Sequence, residues 1–148
     1  MNEESYQDYF VIIDGDQYHS EILSFCNDNL QNNTIEYISA VKSVPIKISE
    51  NNELGKCYIK VTCIQEFTKA KKEAVDKFIG MRLQQAVIQG FTKFMVFSND
   101  RDYLDIFGML YSLNPDKQMN FKMVSSLPSM NRLNKEHNQK TSCSIMFI

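Results

Sequence analysis

Residues 9–16 read YFVIIDGD, and residues 94–103 read FMVFSNDRDY. Each begins as a short apolar run of the kind buried on both faces of a parallel sheet, and each then meets an acid-x-acid pair. In an open α/β sheet, ligands bind beyond the carboxyl ends of the strands, in the crevice where the strand order reverses. Carboxylates delivered there from two strands repel one another unless a cation lies between them. The pattern points to a divalent-metal site and requires the two strands to be neighbours, with Asp14 and Asp100 a few ångströms apart.

The flanking sequence supplies the rest of an α/β pattern. After the first strand (8–14), Ile22, Leu23, Phe25 and Cys26 recur at helical spacing until the asparagine-rich stretch 27–33. Residues 34–41 (TIEYISAV) are β-branched and aromatic, which predicts a second strand. Pro45 opens a short extended piece at 46–48, 51–55 is a turn, and 57–64 alternates like a strand. A basic stretch at 69–73 leads into a helix with Val75, Phe78, Ile79, Leu83, Ala86 and Val87 on one stripe, closed by Gly90. The strand at 93–98 precedes a helix beginning around Asp100, which buries Leu104, Phe107 and Leu110 with Met109 beside them and stops before Pro115. Strands at 121–124 and 143–148 flank a polar loop at 126–142. Strands alternating with helices predict a single Rossmann-like α/β domain over 1–148, with a mainly parallel central sheet flanked by helices.

At 148 residues, 43% hydrophobic and 23% charged, the chain is large enough for a core of its own. Its net charge of −2 excludes a global basic field, so any nucleic acid must be met by local positive charge. No apolar stretch approaches the ~20 residues that span a bilayer, and the acidic start MNEESYQDY lacks the features of a signal peptide. The cysteines Cys26, Cys57, Cys63 and Cys143 form no C-x-x-C pair, and His19 and His137 lie far from any such pair. Buried reduced thiols, rather than zinc ligands, are expected, and the expected location is the cytoplasm.

Taken singly, each acid has an ordinary structural explanation. Asp76, Asp100 and Asp102 fall at helix starts, where acids complement the dipole and free N–H groups, and Asp14-Gly15-Asp16 suits a turn. Acids at the ends of two strands plus a third at a helix start together favour the metal site.

In order and spacing, three segments resemble the PIN-like nucleases, most closely the NYN-type branch. They are 13–17 (IDGDQ), 71–76 (KKEAVD) and 98–103 (SNDRDY), within a resemblance covering about 8–125. Gln17 stands where that family usually has asparagine. Asn99 replaces a glycine, which its tolerance of unusual backbone angles allows, and Tyr103 conservatively replaces a phenylalanine. All the family's acidic positions remain acidic.

The resemblance implies metal-dependent hydrolysis of phosphodiesters, usually in RNA, with single-stranded DNA as the other candidate substrate. Mg²⁺ or Mn²⁺, hard cations that favour oxygen donors, would be the cofactor. The catalytic and metal-binding candidates are Asp14, Asp76, Asp100 and Asp102. Asp14 and Asp100 are expected as direct ligands; Asp76 and Asp102 would be ligands or would orient water on the ion. Asp16, Gln17 and Ser98 are candidates for supporting or substrate contacts, and Lys71, Lys72 and Lys77, with Lys69, for the phosphates. Arg132, Lys135, His137 and Lys140 add charge in the tail, where a solvated loop explains them equally well. Tyr18, Phe67 and Tyr103 could stack on bases, but aromatics more often fill cores, so they receive no role.

Competing functions fit less well. A haloacid-dehalogenase phosphatase wants a small or β-branched residue where Tyr18 stands, and its lysine precedes a later acidic pair in a different arrangement. A receiver domain needs a lone aspartate after a middle strand, which neither 34–41 nor 57–64 supplies, and no P-loop motif occurs. The alternative from another class is a non-catalytic PIN-like module that binds RNA or a protein partner. The 43–65 hairpin and the terminal strand also offer edges through which a homodimer could form.

Overall fold

The computed structural model describes residues 6–17, 21–40, 53–54, 56–64, 73–126 and 143–147. The first apolar run forms β1 (Phe10–Asp14), buried along its length. It is followed by α1 (Glu21–Asn29) and β2 (Thr34–Ser39). A two-residue strand β3 (Glu53–Leu54) turns back onto β4 (Cys57–Cys63), so residues 53–54, expected in the turn, pair instead with Tyr58 and Cys57. Then come α2 (Glu73–Ile88), β5 (Lys93–Phe97), α3 (Asp102–Leu113), β6 (Asn120–Ser125) and β7 (Cys143–Phe147).

The strands form one sheet in the order β3-β4-β2-β1-β5-β6-β7, parallel throughout except for β3. This is the predicted α/β architecture. From β1 the chain builds outward through β2 to β4, and from β5 it builds the other way through β6 to β7. The order therefore reverses between β1 and β5, whose pairing runs from Phe10↔Phe94 to Ile13↔Phe97.

The period of two along each strand sorts the core into two layers. Val11, Ile13, Met95 and Phe97 pack with Ile22 and Cys26 of α1. Phe10, Ile12, Phe94 and Val96 pack with Val75, Ile79 and Leu83 of α2 and with Leu104, Phe107 and Leu110 of α3. Met109 does not join them; it is 58% exposed, because the helix turns that position away from the sheet. Gly90 ends α2 at φ +105°, with its N–H on the Val87 carbonyl and that of Phe91 on the Ala86 carbonyl, the paired bonds of a left-handed glycine cap.

An ion pair interrupts the apolar interior between β2 and α2. Glu36 of β2 is buried and faces α2, where Arg82 grips it with two bonds, Nε to Oε1 at 3.0 Å and Nη2 to Oε2 at 2.6 Å. The same guanidinium lies 5.4 Å from the centre of the Phe10 ring. A bidentate bond of this kind fixes α2 against the sheet in both translation and rotation. Among the described residues, no helix is long and apolar enough to cross a membrane.

Candidate metal centre

Asp14 is the last residue of β1 and is only 2% exposed. The chain leaves it in a turn pressed against β2, where a Cβ on Gly15 would lie 2.8 Å from both the Ile38 carbonyl oxygen and the Tyr37 ring. Only glycine fits that approach. The turn directs the Asp16 N–H onto Asp14 Oδ1 at 3.0 Å. Asp14 Oδ2 accepts from the Ser98 hydroxyl and from the Tyr103 hydroxyl, each at 3.1 Å. Burial pushes the Asp14 carboxyl above its ordinary value, and these hydrogen bonds partly offset it.

The turn after β5 is built by its own side chains. The Asp100 N–H donates to Ser98 Oγ at 3.0 Å, and the Asp102 N–H donates to Asp100 Oδ1 at 2.9 Å, so Asp100 accepts from the first N–H of α3. Asn99 does not use its backbone tolerance, since Asn32 is the only non-glycine residue at positive φ among the described residues. Its side chain instead ties the turn to the end of β6. Its Oδ1 accepts from Ser125 Oγ at 2.7 Å and from the Ser126 N–H at 2.8 Å, and its Nδ2 donates to Ser126 Oγ at 2.9 Å.

Asp76 comes from the first turn of α2, half-buried above the same crevice. Carboxylate oxygens of Asp76, Asp100 and Asp102 lie within 4.8 Å of one another. Of the two expected direct ligands, Asp100 belongs to this triad, and Asp14 is linked to Asp76 through the Tyr103 hydroxyl and to the Asp100 backbone through Ser98. The Tyr103 hydroxyl is 3.0 Å from Asp76 Oδ1.

Burial, the hydrogen bond shared with Asp100 and the nearby charges of Asp100 and Asp14 raise the Asp76 carboxyl from 3.8 to about 7. The native protein therefore holds a proton that the unfolded chain has already released above about pH 4. This group's contribution to metal-free stability is full below pH 4, falls as pH rises through about 7, and is a loss above it. Asp14, raised for the same principal reason, acts with the same sign. In chelator, melting temperature is expected to decline between pH 4.5 and 8, and Asp76→Asn to flatten that decline. Parallel pH profiles for the two proteins would show that Asp76 is not held protonated.

The donor set suits a hard divalent cation, because three carboxylate oxygens lie within 4.8 Å of one another and no described lysine or arginine forms an ion pair with them. Asp16 Oδ2 adds an orphan, a buried carboxylate oxygen with no hydrogen-bond partner among the described residues. Beside the triad runs a groove of about 620 Å³ between α2 and α3. Asp76, Lys77 and Asp102 line it at the acidic end, and Met81, Ile106 and Met109 line the apolar body. Lys77 is exposed there. Lys69, Lys71, Lys72, the basic residues of 132–140, Tyr18, Phe67 and the piece at 46–48 lie outside the described residues, as does the side chain of Gln17.

Sequence reasoning left Tyr103 without a role. Its signal was present, a hydroxyl added where the resembled family has phenylalanine, but its two partners are 27 and 89 residues away in sequence. No protein-family model, curated protein or solved structure matches the chain.

Proposed function

We propose that the protein is a metal-dependent nuclease that hydrolyses phosphodiester bonds, with RNA as its substrate class. The observation that carries this is the convergence of Asp76, Asp100 and Asp102 within 4.8 Å, at the carboxyl end of β5 and beside β1, where the strand order reverses. The resemblance of the acidic segments to PIN-like nucleases supports the same chemistry. Mg²⁺ or Mn²⁺ would be held by these three carboxylates, and such an ion neutralises charge on a phosphate and acidifies water.

The remaining residues act by holding this arrangement. Asp100 uses Oδ1 to accept from the Asp102 N–H, which orients its carboxylate. Ser98 accepts from the Asp100 N–H and donates to Asp14, so the two strand ends are bonded to each other. Lys77, exposed beside the triad, supplies positive charge for a phosphate at the mouth of the groove. The buried free cysteines suit a reducing compartment, and we place the protein in the cytoplasm.

The test is cleavage of a mixed pool of end-labelled RNA and single-stranded DNA with Mn²⁺ or chelator. Native protein is expected to cut RNA only with metal, and Asp76→Asn and Asp100→Asn to abolish cutting. Cutting that survives chelator or both substitutions would reject the assignment. One observation favours a second reading, a non-catalytic module that binds a protein: the groove beside the triad exposes Met81 (63%), Met109 (58%) and Leu113 (69%). Absence of any metal-dependent cutting would favour that module.

A further inference from the structure

Tyr103 stands in the first turn of α3 with its ring sealed in the core at 0% exposure. Its hydroxyl reaches Asp14 Oδ2 at 3.1 Å and Asp76 Oδ1 at 3.0 Å. A phenol has one hydrogen, so it cannot donate to both carboxylates at once. Its oxygen nevertheless lies within hydrogen-bond distance of both carboxyls and bridges them. Three hydrogen bonds already occupy the Asp14 carboxylate, two of them on the oxygen that faces Tyr103. Oδ1 is taken by the Asp16 N–H and Oδ2 by the Ser98 and Tyr103 hydroxyls.

Building on the proposed metal site, we infer that Tyr103 is the positioning residue that selects the ligand set. Its hydroxyl holds Asp14 back as a support and leaves Asp76, Asp100 and Asp102 to meet the ion. Removing that one oxygen takes away the hydroxyl that bonds to both carboxyls and leaves their like charges opposed. A cation relieves this repulsion and gains a further oxygen donor, and carboxylate count is a principal determinant of affinity at oxygen-ligand sites. Loss of a buried hydroxyl is therefore expected to tighten metal binding.

Mn²⁺ affinity and stoichiometry, read by electron paramagnetic resonance of the free ion, test this without any need for turnover. The proteins are native, Tyr103→Phe, Asp14→Asn and the double variant. Phenylalanine retains the buried ring, and circular dichroism verifies each fold. Tyr103→Phe is expected to bind Mn²⁺ about tenfold more tightly, or to take up a second ion. Asp14→Asn is expected to cost at least about tenfold more affinity in the Tyr103→Phe background than in the native one. Equal effects of Asp14→Asn in both backgrounds, or unchanged or weaker binding by Tyr103→Phe, would overturn the role of Tyr103 and leave the metal site standing. Failure of the native protein to bind Mn²⁺ would overturn the metal site and this inference with it.

Discussion

Asp100→Asn is expected to weaken Mn²⁺ binding by more than about 100-fold while raising the melting temperature of the metal-free protein. The two effects have opposite signs for one reason. Asp100 crowds Asp76 with like charge in a half-buried crevice, so the folded protein stores repulsion that only a proton or a cation relieves. Asparagine retains the Oδ1 acceptor that receives the Asp102 N–H, so that bond at the start of α3 survives and only the charge is lost. Even partners that merely orient metal ligands contribute about 10–100-fold to affinity, so a ligand itself should exceed that range. The relief in chelator is expected to be about 1 kcal/mol at pH 8, or roughly 2–4 °C for a domain of this size. Thermal melts with Mn²⁺ and with chelator read both effects. Native protein should gain stability from the metal by mass action, and the variant very little. Equal metal responses in the two proteins would sink the triad as a binding site.

The largest loss of stability is expected at a residue outside the triad. Arg82→Ala leaves Glu36 buried on β2 with no partner for its charge, and removing one member of a buried pair costs about 3–5 kcal/mol. Side-chain exposure of 20% for Arg82 and 8% for Glu36 lets some water reach the pair, which favours the lower end, about 3 kcal/mol. That corresponds to roughly 10 °C in melting temperature. The cause is desolvation rather than loss of a bond, so Glu36→Leu combined with Arg82→Met should recover most of the stability. Urea midpoints measure both variants. A double variant no more stable than Arg82→Ala would show that the pair holds α2 in place by its geometry, which apolar side chains do not replace.

The two apolar runs ending in acids were sufficient to predict the parallel sheet, and the adjacency of β1 and β5 followed from the usual connection rules of such sheets. The placement of Asp14 was not legible. From the sequence it is a strand-end acid equivalent to Asp100, yet it directly follows the Ile13↔Phe97 pair, and its carboxylate accepts hydrogen bonds from Asp16, Ser98 and Tyr103. Asn99 stands where the resembled family has glycine, yet its side chain, not its backbone, is what the fold uses: it bonds to Ser125 at the end of β6 and to Ser126 just beyond it. Met109 was placed in the core by spacing alone, and a rotation of one position along α3 puts it in the groove.

The sequence by itself determined the order and type of the elements, the burial of the central strands, and the delivery of acids to strand ends and helix starts. These are local properties, set by periodicities of 2 and 3.6 residues and by covalent adjacency. Only the tertiary structure decided which carboxylates converge, that a phenol separates Asp14 from Asp76, that Arg82 finds Glu36, and that methionines of α2 and α3 line one groove. Those facts depend on how α2 and α3 are rotated and shifted on the sheet, by distances of about an ångström. Packing between residues far apart in the chain sets such displacements, and no periodicity along the sequence encodes them.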